Sequence, residues 1–354
     1  MLNEFGKELG EFLEYKNISI KEFAERVNTT SKNMIDIIKG NVELSQNMIY
    51  NIAFVTEIPV SYIENVERSF KMDKVIKSFI DKKNISIRKF INLFNYKEFS
   101  KEYEFMFTDV MDDYEIAKDI LRYLRMSNPE TLYKEDNSIF YKSRNNKKEL
   151  LALWLERCYR VVSNQEVKEY NKNNIEVVVN YIREQASKNI FNKEELIKVF
   201  NDNGIFLAIE KDLTGSKIRG AFKVLNDKPA IYITKKHKRY ADIYFALLHE
   251  LAHCKSDFNR AKSGSIVTTE DKSVEDYEIK ADKTAFNWMI DDKVYQSIKY
   301  CSDAIEELDV IKSFYVYRLA SDKLIDYSSK LYQEYNGLIE EVVLDDIEKN
   351  SDKK

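Results

Sequence analysis

The stretch Tyr240–Ser256, YADIYFALLHELAHCKS, constrains this chain more than any other. Apolar residues cover most of its surface, which predicts a single helix buried inside a domain. It carries two of the only three histidines among 354 residues, His249 and His253, with Glu250 between them. Residues four apart lie one above the other on a helix, so both imidazoles reach one metal ion. Glu250, one position round, is placed to hold and deprotonate a water on that ion. A zinc site that does chemistry needs a third protein ligand and one open position. No histidine follows His253, so the third ligand is a carboxylate or a thiolate.

Residues 278–290 offer a carboxylate. Ala281, Ala285, Trp288 and Met289 form an inward stripe on a helix there, and Glu278 and Asp282, four apart, point to one place. Glu278 is therefore expected to be the third ligand. Asp282 is expected to accept the free N–H of a ligand histidine. Cys254 stands five residues from His249, about 140° round the helix, and reads as a core residue. His237, just before the helix, reads as a surface residue; the alternative is a donor to a developing oxyanion.

Composition narrows the setting. Charged residues of mixed sign make up 33% of the chain, and only 8 Gly and 3 Pro leave few obligatory turns, which favours helices. A net charge of −4 makes no global case for nucleic-acid or membrane binding. The cysteines, Cys158, Cys254 and Cys301, form no C-x-x-C pair, so a disulfide framework is not expected. With no signal-like N-terminus and no run of about 18 apolar residues, a cytoplasmic location without a membrane partner is expected.

In chain order, Phe5, Leu9, Phe12 and Leu13 give a first helix an apolar stripe. Ser19 and Glu22 make a capping box opening a second helix. Thr30 is placed to N-cap a third, with Gly40 as its stop. Two short helices across a three-residue turn describe a helix-turn-helix. Residues 1–68 hold seven basic against eleven acidic side chains, so phosphate attraction is weak outside the window 16–39. A protein-docking bundle is the alternative to a DNA-binding one. The segment 12–23, FLEYKNISIKEF, is echoed at 79–90 by FIDKKNISIRKF, with seven of twelve positions identical. A duplicated helix pair and coincidence both remain open as explanations.

Residues 69–126 read as helical, Pro129 breaks that run, and 136–148 reads as a polar linker. Helices are expected over 149–158, 174–186 and 194–201. Short strands are expected at 205–209, 218–225 and 230–234, the last two joined by a hairpin turn at 226–229. A small antiparallel sheet followed directly by the histidine helix is a common layout in zinc peptidases, where an edge strand pairs with the substrate backbone. Further helices are expected over 303–311, 314–324 and 327–335.

On the small Ala24, Ile35, Ile38 and the Gly40 stop, the N-terminal segment resembles the Xre (lambda-repressor-like) DNA-binding family. That resemblance implies that Ser31, Lys32, Asn33 and Asp36 face bases, with Thr30 or Lys39 near phosphates. His249-Glu250-x-x-His253 with Glu278-x-x-Ala281-Asp282, and the Arg219-Gly220-Ala221 strand, resemble the ImmA/IrrE metallopeptidases. Ile290 stands without the Pro that commonly comes after this helix in that family. Together the two resemblances imply a mostly α chain with a small antiparallel β-sheet. A zincin-like α+β peptidase domain (149–345) would follow an all-α helix-turn-helix bundle (1–68), a helical middle region and linker (69–148) lying between, and a polar tail (346–354) closing the chain. They imply Zn²⁺ as cofactor and Glu250 as the catalytic base. A DNA operator, an Xre-type repressor as substrate, or both are the implied partners, and homodimerisation stays open. A transcription regulator or antitoxin-like protein without proteolysis is the competing expectation.

Overall fold

The computed structural model describes residues 4–102, 112–133, 147–269 and 275–340. The chain divides into two compact units. Among the described residues, the first holds 4–92 and 112–130; the second holds 93–102, 131–133, 147–269 and 275–340. The expected linker up to residue 146 and the tail 346–354 lie outside the described residues.

The first unit is all helical: α1 (Glu4–Tyr15), α2 (Ile20–Arg26), α3 (Ser31–Ile38), α4 (Gln46–Thr56), α5 (Val60–Lys83), α6 (Ile87–Leu93) and α8 (Asp113–Tyr123). Local chemistry sets its early helix boundaries. Ser19 Oγ accepts from Glu22 N and Thr30 Oγ1 from Asn33 N, which satisfies backbone donors that α2 and α3 leave free. Gly40 takes a φ of 72°, the left-handed conformation that ends α3 without a Cβ penalty. Phe5, Leu9, Phe23, Ala24, Met34, Ile37, Ile49 and Ile52 close the core between these helices. Helix α5 is continuous through 68 and 69, where the sequence predicts a boundary, because no Gly or Pro interrupts Val60–Lys83.

The echoed segments share backbone geometry. Each runs from the end of a helix through a left-handed Asn, Asn17 (φ 55°) or Asn84 (φ 51°), to a Ser that caps the next helix. Ser19 Oγ accepts from Glu22 N, and Ser86 Oγ from Lys89 N. Ile18 N bonds Leu13 O, as Ile85 N bonds Ile80 O. KNISI thus encodes the same helix–turn–helix corner twice. After the second corner the left-handed Asn95 leads into α7 (Tyr96–Glu102), which belongs to the second unit.

The second unit is an α+β fold built on four strands: β1 (Phe206–Glu210), β2 (Ile218–Leu225), β3 (Lys228–Thr234) and β4 (Ile266–Thr269), in the order β1-β3-β2-β4. β2 and β3 form the expected hairpin. Its two turn residues, Asn226 and Asp227, take φ of 48° and 60°, as a tight hairpin with right-handed twist requires. The sheet is mixed, however, and not antiparallel as predicted. β1 pairs in parallel with β3, because the hairpin folds back between β1 and the far edge. The fourth strand, β4, was not predicted. Its four residues are too short to show a period, and they become a strand by pairing with the free edge of β2.

Helix α9 (Lys148–Val162) covers one face of the sheet, where Trp154, Leu151 and Cys158 meet Ala208, Ala230 and Tyr232. The other face packs on α10 (Ile175–Ser187), α11 (Lys193–Asp202) and α12 (Tyr240–Ser256). Short α13 (Phe258–Ala261) precedes β4. After it come α14 (Asp276–Met289), α15 (Asp292–Ile298), α16 (Lys312–Ser321) and α17 (Lys330–Tyr335). The helix expected over 303–311 is instead a 3₁₀ stretch, Ser302–Glu307, broken at Ala304 (φ −112°, ψ 29°). Only Ile305 in it is buried, too little to hold a full helix against the core.

Candidate metal centre

Helix α12 is the axis of the second unit, and thirteen of its 17 residues are buried. Each of Ile243, Tyr244, Phe245, Leu247, Leu248 and Leu251 adds roughly 1.5–3 kcal/mol by leaving water, which fixes the helix before any polar contact is considered. Its N-terminus is clamped by the chain's later part. Asn336 Oδ1 accepts from Ala241 N at 2.9 Å, and Asp242 Oδ2 accepts from Tyr332 Oη (2.7 Å) and Asn336 Nδ2 (2.8 Å).

Held this way, His249 and His253 project from one face, with Nε2 atoms 3.0 Å apart. Glu278, in the first turn of α14, enters between them. Its Oε2 lies 3.2 Å from His249 Nε2 and its Oε1 3.3 Å from His253 Nε2. These three buried side chains bring one ligand atom each within 4.8 Å of one another, a group able to hold a metal ion. Asp282, one turn further along α14, faces His249 Nδ1 at 2.8 Å. Asp257, just past α12, faces His253 Nδ1 at 3.0 Å. Sequence reasoning missed Asp257, although its i+4 spacing from His253 carried the signal.

Those two carboxylates decide whether the group suits a cation. An Nδ1 that faces a carboxylate carries the proton, so each neutral ring turns the lone pair of its Nε2 inward. Two lone pairs 3.0 Å apart, beside a carboxylate, repel unless positive charge stands among them. A tetrahedral ion with bonds of about 2.0–2.1 Å spaces its ligands roughly 3.3 Å apart, close to the separations found here. The donor set fits zinc.

The electrostatics agree. Burial works against charge on His249, but the Asp282 and Glu278 carboxylates outweigh it and push its pKa up to about 10. His253 moves the same way, burial being outweighed by Asp257 and Glu278. Burial acts upward on Glu278 too, yet its contacts with the two imidazoles bring it down to about 2. Protons and metal thus compete for one pocket of negative potential. Glu250 behaves differently. Burial lifts its carboxyl to about 7, the nearby imidazoles restraining the rise. Its Oε2 is enclosed without a hydrogen-bond partner among the described residues. Gly220 makes room for it: a Cβ there would lie 2.5 Å from Glu250 Oε1. Thr268 of β4 borders the same space, its Oγ1 3.3 Å from His249 Nε2.

No known protein family, curated protein or solved structure matches the chain. What the site can do therefore rests on its own geometry.

The other expected residues stand apart from the cluster. Cys254 is fully buried, with its Sγ 3.3 Å from Tyr170 Oη, and takes no part in it. His237, expected at the surface, is half-buried, with its Nε2 enclosed and unpartnered among the described residues. Burial, with Arg219 and Lys236 nearby, brings its pKa down to about 3. In the first unit, Lys32 and Lys39 are exposed on α3, with Ile35 between them 37% exposed. Ser31 is half-buried and Thr30 is engaged as the cap. Asn33 Nδ2 donates to Thr29 Oγ1, and Asp36 accepts from Asn41.

Replacing Asp257 by Asn is expected to weaken zinc binding by roughly 10- to 100-fold, as loss of a ligand's supporting carboxylate does. Chelator competition on the full chain measures it, and unchanged affinity would remove Asp257 from the site. The pH dependence has a definite sign. His249 stays protonated below its pKa of about 10, so zinc must displace a proton at neutral pH. Apparent affinity is expected to rise about tenfold per pH unit for each proton displaced, over roughly pH 6 to 9. A flat profile in the same titration contradicts the coupling.

Proposed function

We propose that this chain is a regulatory zinc endopeptidase of the ImmA/IrrE type, joined to an Xre-like helix-turn-helix unit that docks on DNA or on a DNA-bound repressor. The observation that carries this is Glu250. A carboxyl poised at about 7, with its Oε2 unpartnered and seated against a glycine beside a His-His-Glu cluster, suits a base and not a structural ligand. In a purely structural zinc site four protein ligands close the sphere, whereas here three converge and the fourth neighbour is a base.

His249, His253 and Glu278 would hold a zinc ion, which when bound would supply a water acidic enough to lose its proton near neutral pH. Glu250 would take that proton and pass it to the leaving amine. Asp282 and Asp257 hold the two imidazoles in the tautomer whose Nε2 faces inward. β4 pairs with β2 on one side and borders the cluster through Thr268, so its other edge suits an extended peptide added as a further strand.

The substrate class we infer is an Xre-type repressor, in a phage, mobile-element or stress response inside the cytoplasm. No helix among the described residues is long and apolar enough to cross a membrane. A second reading, a regulator or antitoxin-like protein that binds DNA or a partner without cutting it, draws on α3. There Ile35 stands exposed between Lys32 and Lys39, which suits protein docking as well as a groove.

Glu250→Gln is expected to keep zinc and to lower cleavage of a neighbouring-gene repressor by about 10²-fold or more. Equal cleavage by variant and parent would sink the peptidase. For the N-terminal unit, the chain is expected to bind its own upstream DNA, with Lys32→Ala and Asn33→Ala each weakening it. Lys32→Ala should also reduce the salt slope by about one. Binding that is absent, or indifferent to salt, would leave a protein-docking role.

A further inference from the structure

One strand of the sheet carries a feature that the metal cluster does not use. Along β2, Ile218 pairs with Thr269 and Gly220 with Thr268, so two steps on β2 oppose one on β4. This bulge sits at Arg219. Ile218 and Ala221 both pack with α9, while Gly220 lies against Glu250 of α12. The two consecutive residues between Ile218 and Ala221 therefore turn to the α12 side, which regular alternation would forbid.

Arg219 arrives there without a partner. Its Nε is enclosed with no hydrogen bond, and it forms no ion pair among the described residues. Asp242, Tyr317, Tyr327 and His237 all lie within electrostatic reach of it. Asp242 attracts it from a distance but forms no ion pair with it, its Oδ2 accepting from Tyr332 and Asn336 instead. His237 adds no charge, being held neutral in this range of pH. A run of rings leads from this place to the cluster: Phe245 lies 6.1 Å from His249 and 5.0 Å from Tyr317, and Tyr317 lies 6.3 Å from Tyr327. Tyr327 is 49% exposed, so solvent reaches that end. Leaving an enclosed guanidinium N–H without an acceptor is costly unless a ligand supplies one.

We propose that Arg219 is a specificity-determining residue that binds a carboxylate of the peptide substrate, an acidic side chain or the C-terminus, beside the run of rings that leads to His249. The assignment rests on the peptidase reading of the same site. A guanidinium on the residue preceding Gly220, which itself lies against Glu250, draws the peptide in by its charge, and the rings of Phe245, Tyr317 and Tyr327 flank the residue so held. The bulge makes one strand serve both needs, with Gly220 clearing space for Glu250 and Arg219 selecting what lies next to it.

The test uses the zinc-loaded full chain carrying Glu250→Gln, so that bound peptides persist. Four hexapeptide pools bearing one uncharged dye serve as probes: Asp/Glu with an amidated end, Asn/Gln with a free carboxylate end, Asn/Gln amidated, and Lys/Arg amidated. By fluorescence polarisation, at least one carboxylate pool is expected to bind about tenfold more tightly than the neutral amidated pool. Which of the two does so identifies the source of the carboxylate. Adding Arg219→Gln abolishes the preference, Arg219→Lys keeps most of it, and Arg219→Glu turns it towards the basic pool. Equal binding of all pools before any change at Arg219 overturns the proposal, as does a preference that survives Arg219→Gln. Zinc content of each variant separates misfolding from lost recognition, and Arg219→Glu decides the matter if Arg219→Gln does not fold: a carboxylate preference that survives the charge reversal overturns the proposal. Cleavage by the chain with Glu250 intact is read separately. Its absence, with the carboxylate preference present, removes the peptidase and leaves Arg219 as a carboxylate-binding residue.

Discussion

Two imidazole nitrogens 3.0 Å apart, with a carboxylate between them, form the contact on which the second unit's design depends. Asp282 and Asp257 hold the outward ring protons, so the inward Nε2 atom of each neutral ring offers an electron pair for which protons and a metal ion compete. Such a group is unfavourable alone and favourable around a cation. Three elements must meet to build it: α12 supplies both histidines, α14 supplies Glu278 and Asp282, and the residue after α12 supplies Asp257. Apolar burial along α12, on the order of 10 kcal/mol, outweighs the repulsion and holds the side chains in place.

Glu250 shows how the sheet then shapes the chemistry. On the helix it differs from its neighbours only by its carboxylate. Packing against β2 sets it apart, because enclosure raises its pKa to about 7 and Gly220 leaves it room. The same strand delivers Arg219 to the same face through the bulge opposite β4. A short edge strand with little pattern of its own thus fixes the register that sets Gly220 against Glu250 and turns Arg219 to the α12 side.

The first unit illustrates a different kind of information. KNISI at 16–20 and 83–87 gives the same corner twice, with a left-handed Asn and a Ser cap in each copy. Its boundaries were legible because caps are local: Ser19, Thr30 and Gly40 act within a few residues of their own position. The fate of the chain beyond each corner was not legible. α3 packs into the first unit through Met34 and Ile37, whereas α7 joins the second, where Glu98 Oε1 accepts from Thr214 N at 3.1 Å. Nothing in the segment YKEFSKE distinguishes these fates, which are settled by partners far along the chain.

By itself the sequence determined what depends on short-range spacing: the span of α12, the shared face of His249 and His253, the pairing of Glu278 with Asp282 on one helix, and the tight turn at Asn226-Asp227. Helical period and turn conformation are properties of a few successive residues, so they survive without tertiary context. The tertiary structure alone decided the parallel placement of β1, the existence of β4, the enclosure of His237 Nε2, and the bulge that turns Arg219 to the α12 side. Strand pairing joins residues distant in sequence, and a shift of one position sends a side chain to the opposite face. No local pattern encodes that choice; it is made when the sheet closes against α12.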